Sequence, residues 1–364
     1  MAAIDLALSK IKNLTRSLTH ERGARFYLFL LTAKNLFITK NFLGTFMHFD
    51  VFNGDADGII ALLQLRLAEP KSSTLITGVK RDIELLQQVD VEQASDVTVL
   101  DISMEKNHQA LINLLDNNVD VFYVDHHRAG TIPQSKHLKS IIDTNANTCT
   151  SLLVNQHLAG RFVLWAIVAA YGDNMLQAAE KLSIQQGLSS TERAQLKALG
   201  IYINYNGYGR SIEDLHFAPA QLFKKLLSYP DPFTLIAEPN SIFSQLEQAY
   251  KADMQQADSA KVLHDSDVLQ IIELENASWS RRVSGVFGNE LANRAPNKAH
   301  AVLTLNADNS YLVSLRAPLI NKQGAGDICV QFETGGGRAA AAGINKLSPE
   351  KLGKFIEIVS KYYQ

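Results

Sequence analysis

Two aspartates one residue apart, Asp55 and Asp57, stand in Asn53-Gly54-Asp55-Ala56-Asp57-Gly58, directly after the short apolar run Met47–Phe52. Carboxylates this close at the exit of a strand repel each other unless a cation lies between them, so the pattern points to a metal ion. A solvated turn is the alternative, since Asp and Gly are ordinary turn residues, and the stretch alone favours the turn. Recurrence shifts the balance. Asp101 closes the β-branched run that starts at Val97, Asp125-His126-His127 closes the run from Val119, and Asp173 closes Val163–Gly172.

These residues need a scaffold that brings chain ends together. Met47–Phe52, Thr74–Val79, Val97–Leu100 and Val119–Val124 read as buried strands, nearly continuous in apolar or β-branched residues. Between them, the stretch from Gly58 to Glu69 is rich in helix formers and stopped by Pro70, and residues 82–89 and 107–115 suit further helices. Alternation at these spacings predicts βαβ units and a parallel sheet. In such sheets ligands bind outside the carboxyl ends of the strands, where Asp55, Asp57, Asp101, Asp125 and His126 would converge. Lys80 and Arg81, between a strand and the expected helix at 82–89, read as a charged turn in preference to a phosphate contact.

Taken in order, Asn53-Gly-Asp-Ala-Asp-Gly58, Leu100-Asp101-Ile-Ser, Asp125-His126-His127 and the buried stretch ending in Asp173 resemble the four motifs of the DHH phosphoesterase superfamily. The resemblance implies a manganese-dependent hydrolase with one or two Mn²⁺ ions, Mg²⁺ being the alternative. It makes Asp55, Asp57, Asp101, His126 and Asp173 metal ligands, with Asp101 bridging and catalytic. Asp125 would orient a histidine from behind the ligands, and His127 would face the scissile phosphate as a second catalytic group. Oxygen ligands with one imidazole suit Mn²⁺ or Mg²⁺ better than a structural zinc. The chain departs from the pattern at Val51 and Asn53, where branches of the family carry a further ligand. Asn53 offers a neutral carbonyl oxygen at best, so the first metal is expected to bind more weakly. His48, at the strand's beginning, reads as a structural histidine.

Farther on, Asp143 reads as a turn residue and Thr150 or Ser151 as an N-cap. Residues 176–260 read as helical, interrupted by an aromatic, glycine-rich loop at 204–210 that is either a surface turn or a platform for a base. From residue 261 the pattern becomes a smaller α/β unit with a hairpin around Ala307-Asp-Asn-Ser310. Near its end stands Gly335-Gly336-Gly337-Arg338, followed by four alanines. The glycines are expected to form an anion-binding nest, with a helix packed behind on the alanines. The run resembles the GGGH-type motif of the DHH-associated carboxy-terminal domain, with Arg338 in place of histidine, and Arg316 matches an arginine position of related nucleotide hydrolases. The resemblance thus makes Gly335, Gly336, Gly337, Arg338 and Arg316 substrate-binding.

The expected architecture is α/β: a parallel-sheet DHH domain with a helical connector over 47–260, and a smaller α/β substrate-binding domain over 261–364. Residues 1–46 carry seven basic residues against Asp5 and Glu21 and read as an extension outside the fold, whose deletion should leave activity intact. A net charge of −2 provides no global field for long duplexes. The substrate class expected is therefore a small nucleotide or a short single-stranded oligonucleotide. Alternatives are a polyphosphate or pyrophosphate hydrolase, and a catalytically decayed module that binds nucleotides or single strands. Two cysteines without CxxC spacing argue against a disulfide framework and fit a cytoplasmic setting. No apolar run has the roughly 18 residues a membrane span needs. Oligomeric state is left open.

Overall fold

The computed structural model describes residues 47–364 apart from residue 146; the expected extension at 1–46 lies outside the described residues. Strand β1 (Met47–Phe52) leads into helix α1 (Ala56–Ala68), followed by β2 (Thr74–Ile76), β3 (Ala94–Leu100), α2 (His108–Asp116), β4 (Asp120–Asp125) and β5 (Leu138–Ile142). The five strands form one sheet in the order β2-β1-β3-β4-β5, and every neighbouring pair is parallel. Alternation along β1 sends Phe49 and Val51 into one hydrophobic layer with Val97 and Val99, and Phe52 into the layer on the opposite face with Ile59 and Leu63. Covering on both faces is why these strands read as unbroken apolar runs.

Helix α1 is buried continuously from Ala56 to Arg66, as a helix apolar on every side must be. It is enclosed by a helical block: α3 (Thr150–His157), α4 (Val163–Gly172), α5 (Leu176–Gln185), α6 (Ser190–Asn206), α7 (Pro219–Leu226), α8 (Pro232–Ala237) and α9 (Ile242–Asp258). Trp165, Leu199, Ile203, Leu222 and Leu246 fill the space between them. Helices α4 and α6 cross at Gly172 and Gly200. A Cβ on Gly200 would collide with the Val168 carbonyl, and one on Gly172 would meet the Ala56 Cβ at 2.6 Å.

The second sheet comprises β6 (Lys261–Asp265), β7 (Leu269–Leu274), β8 (Ala299–Leu305), β9 (Tyr311–Arg316), β10 (Gly335–Gly337) and β11 (Ala341–Leu347). Its order is β10-β11-β9-β8-β7-β6, and β7–β8 is its parallel pair. Helix α10 (Ser278–Arg294) covers one face through Val283, Phe287 and Leu291, together with Tyr205 and Met254 from the helical block. Helices α11 (Ala325–Cys329) and α12 (Leu352–Tyr363) cover the other through Ile328, Phe355 and Val359.

Three expectations fail locally. Residues 82–89 hold a single 3₁₀ turn, Leu86–Gln88, in place of a helix, because Asn107 claims their backbone. Its Oδ1 accepts from Leu86 N–H (3.1 Å) and its Nδ2 donates to the Ile83 carbonyl (2.7 Å). The alanines after Arg338 form no helix: Ala341 and Ala342 open strand β11. The glycines pair antiparallel with Ala342–Ile344 as β10, and a Cβ on Gly335 would collide with the Cys329 carbonyl. Lastly, Asn204–Asn206 finish helix α6 with Tyr205 buried in the core, so the expected loop begins only at Gly207. Strand β5 had no expectation; its partly buried pattern is that of an edge.

Candidate metal centre

The carboxyl ends of β1, β3 and β4 open toward the C-terminal end of α4, and there Asp55, Asp57, Asp101, His126 and Asp173 gather. Asp55 caps α1: its Oδ1 accepts from Asp57 N–H (3.0 Å) and Gly58 N–H (3.1 Å). Asp57 is fully buried and held from outside its own helix. Its oxygens accept from the backbone N–H groups of Thr150 and Ser151, each at 2.7 Å. These two residues, expected as N-caps, are themselves capped by Asp57, since Cys149 precedes α3 without a side-chain cap. Asp101 follows β3 with φ of 59°, a conformation strained for a residue with a Cβ, and accepts from the Thr150 hydroxyl at 3.0 Å.

His126 Nδ1 lies 3.1 Å from the Thr148 carbonyl. A carbonyl only accepts, so Nδ1 carries a proton and Nε2 is the nitrogen turned toward the carboxylates. Nε2 stands 3.4 Å from Asp101 Oδ1, 3.8 Å from Asp173 Oδ2 and 3.9 Å from Asp57 Oδ2. Ligand atoms of Asp57, His126 and Asp173 all lie within 4.8 Å of one another, as do those of Asp101, His126 and His127. Asp125 is buried behind them and accepts from His127 Nδ1 at 2.8 Å.

Electrostatics shows what the cluster lacks. Burial, and then the charges of Asp57, Asp55, Asp173 and Asp125, push the Asp101 carboxyl well above the usual range. Burial also raises Asp173, against the opposing pull of Lys80. Burial would lower the His127 imidazolium, but the hydrogen bond and charge of Asp125 raise it above the ordinary histidine value. Asp55, Asp57, Asp101 and Asp173 therefore share one fixed cation, Lys80. Close-packed oxygens with an imidazole nitrogen among them are the donor set of a hard divalent ion such as Mn²⁺ or Mg²⁺.

Lys80, read from sequence as a turn residue, is the main omission. Its ammonium contacts Asp55 Oδ2, lies 3.6 Å from Asp173 Oδ1 and donates to Asn204 Oδ1 at 3.2 Å. Asn53 lines the cleft with its amide engaged by backbone: its Oδ1 accepts from Asp55 N–H and its Nδ2 donates to the Lys80 carbonyl, both at 3.1 Å. His48 sits at the opposite end of β1 in a structural network.

Asp55, Asp101 and Asp173 line a cleft of about 670 Å³ whose wall also includes Arg316, Lys322 and Arg338 from the second sheet's half. Arg316 is locked by Asn289 Oδ1 (2.6 Å), Ser314 Oγ (3.0 Å) and the Gly285 carbonyl (3.0 Å). Arg338 is exposed at the rim. Gly335, Gly336 and Gly337 do not line the cleft; as β10 they bring the chain to Arg338. Lys322 and Asn289 were missed as lining residues, since neither stands in a motif, whereas Tyr208 belongs to the loop at 204–210 read as a surface turn or a platform for a base. A recess of about 480 Å³ with Tyr171, Tyr208 and Tyr250 in its walls adjoins the cleft, sharing Lys80 and Asp173 with it.

No family model matches this chain, and no curated protein matches it. Among solved structures it is similar to a DHH-domain protein described as a member of the S1p family of ribosomal proteins, at 12% identity and a TM-score of 0.56, covering 87% of this chain and 86% of that one. It is also similar to an exonuclease RecJ bound to manganese, at 15% identity and a TM-score of 0.53, covering 87% and 90%. A RecJ from Thermus thermophilus in complex with Mn²⁺ follows at 15% identity and 0.52, the match spanning 87% of this chain and 52% of that one. At such identities the likeness is one of fold: the chain shares the architecture of these structures, a DHH domain among them.

Proposed function

We propose that this protein is a metal-dependent phosphoesterase that hydrolyses phosphodiester or phosphomonoester bonds in small nucleotides or short single-stranded oligonucleotides. The observation that carries this reading is the pair of overlapping clusters, Asp57 with His126 and Asp173, and Asp101 with His126 and His127, that share the His126 imidazole, with three arginine and lysine side chains across the cleft. Asp57, Asp101, His126 and Asp173 would hold a divalent ion. When bound there, such an ion supplies a more acidic water and charge neutralisation at the phosphoryl oxygens. A structural neighbour described as a manganese-bound exonuclease agrees with the reading.

The chain's own residues complete the chemistry. His127 is pinned through Nδ1 by Asp125 and leaves its Nε2 edge to the cleft, where an imidazolium donates to a phosphoryl oxygen as negative charge grows in the transition state. Arg316 cannot swing, because three neighbours hold it, and it supplies a pre-placed positive charge. Water attacks phosphorus, the ester P–O bond breaks, and the leaving alkoxide takes up a proton. The cleft volume falls in the range of small-ligand sites, roughly 300–1,000 Å³. Its polar lining and the aromatic recess beside it fit a nucleotide better than a bare phosphate chain.

Purified protein with Mn²⁺ or Mg²⁺ should be incubated with linear and cyclic dinucleotides, short oligoribonucleotides, a 3′-phosphorylated adenosine nucleotide and polyphosphate, with product release followed chromatographically. Cleavage of the nucleotides is expected. Polyphosphate cleavage alone would replace the substrate class, and no turnover on any of them would leave a binding module.

A further inference from the structure

We propose that the Lys80 ammonium takes the position of one of the two cations a bridged carboxylate cluster could hold, so that the chain binds a single divalent ion at Asp57, Asp101, His126 and Asp173. The inference rests on the metal-centre reading above and goes beyond it in fixing how many ions enter.

On the Asp55 side of the cluster, every nearby donor is already used by the chain. Asp55 Oδ1 accepts from two backbone N–H groups of α1, and Oδ2 contacts the Lys80 ammonium. Asn53 is the adjacent oxygen donor, and both ends of its amide are engaged by the backbone of Asp55 and Lys80. Val51 is fully buried in the core and has no donor to give.

Lys80 is built in place. Its backbone N–H donates to the Gly207 carbonyl at 2.8 Å, and its own carbonyl accepts from Asn53. The ammonium is directed by Asp55, Asp173 and Asn204, with the Tyr208 ring centroid 5.6 Å away. Its side chain is 28% exposed, so it reaches the cleft edge without being free to leave the carboxylates. A cation held by three oxygens and an aromatic face occupies the space between Asp55 and Asp173 that a second ion would need. On the other side, Asp57 and Asp101 also accept hydrogen bonds from Thr150 and Ser151, but no side-chain ammonium or guanidinium lies among His126 Nε2 and the facing oxygens of Asp57, Asp101 and Asp173 in the described residues.

The consequence is chemical as well as arithmetical. An ammonium donates hydrogen bonds to a phosphoryl oxygen, yet it cannot acidify a water as a divalent ion does. Activation of water is thereby confined to the His126 side, and Lys80 serves as a fixed positive contact for the substrate.

The test counts Mn²⁺ ions on the full chain by isothermal titration, with electron paramagnetic resonance to report whether bound ions are magnetically coupled. The wild-type protein is expected to bind one uncoupled ion. Lys80→Asp, which removes the ammonium and adds a carboxylate, is expected to double the capacity to two ions with a coupled spectrum. Two coupled ions on the wild type would overturn this inference and leave the proposed function standing. No bound ion would overturn the metal-centre reading, and this inference with it. A single ion on folded Lys80→Asp would also overturn it; should that variant fail to fold, the wild-type count decides.

Discussion

Strand β1 buries aspartate chemistry at both ends, and the two ends are made differently. At its start, Asp50 and Asp96 face Arg66 and Lys71, with His48 between the carboxylates at 2.8 and 2.6 Å. Arg66 reaches Asp50 through two nitrogens, and Ser73 donates to the same carboxylate at 2.6 Å. Two acids meet two permanent cations. Although burial opposes ionisation, the bonds from His48 and Arg66 bring Asp50 down to about 2. At the far end Asp55, Asp57, Asp101 and Asp173 have Lys80 alone, and Asp101 is driven upward. A buried cluster that balances its own charge is structure; one that does not requires an outside ion.

The largest expected effect separates the two ends directly. Asp101→Asn should abolish Mn²⁺-dependent turnover by on the order of 10³-fold or more, the rate equivalent of several kcal/mol, and weaken Mn²⁺ binding while the protein stays folded. Calorimetric titration beside a phosphodiesterase assay would show it, and an undiminished rate would remove the metal assignment. Asp50→Ala should do the reverse. Leaving Arg66 buried without its partner costs about 3–5 kcal/mol in urea unfolding, with Mn²⁺ affinity of the folded fraction unchanged.

Next comes a change at one remove from the ion. Asp125→Asn should reduce kcat by roughly 10–100-fold and move the alkaline limb of the pH–rate profile downward, because His127 loses the carboxylate that raises it. An unshifted profile would mean that His127 does not carry charge in the reaction.

The contrast also predicts opposite responses to acid. Asp101 and Asp173 are raised, so in the metal-free fold they retain protons where free aspartates have lost them, and an entering ion must displace those protons. The rise in Tm on adding Mn²⁺ should therefore shrink as pH falls into their raised range. Asp50 is lowered, so its contribution is complete above the unfolded value of 3.8 and is lost only as the pH drops toward about 2. Melting curves with and without Mn²⁺ across pH would separate the two. The smallest effect belongs to the exposed rim: Arg338→Ala should raise KM about fivefold, for a contact worth roughly 1 kcal/mol, with kcat unchanged.

The parallel sheet and the meeting of Asp55, Asp57, Asp101 and His126 were legible because both follow from local pattern. Strands β1, β3 and β4 are largely apolar runs, and each leads into an acid. Asp173 was legible as the end of an apolar run, though the run proved to be a helix. Lys80 was not, because its role is made by Asp55, Asp173 and Asn204, up to 124 residues away, while its immediate neighbours spell a turn. Asp57 as the cap of α3 was hidden for the same reason. The glycine run misled because glycine permits both a nest and a close-packed strand, and what decides is the Cys329 carbonyl lying against it.

The crossing of α4 and α6 bears on all of this. Helix α4 ends at Asp173, and α6 ends at Asn204–Asn206, with Gly207 next, which receives the Lys80 amide. Where the two helices touch, main chain rests on main chain with no side chain between to yield. The gap between the acid and its counter-charge is thus gauged by a hard stop about one helical turn away. A single methyl at Gly172 or Gly200 would spread that gap without contacting any reacting atom.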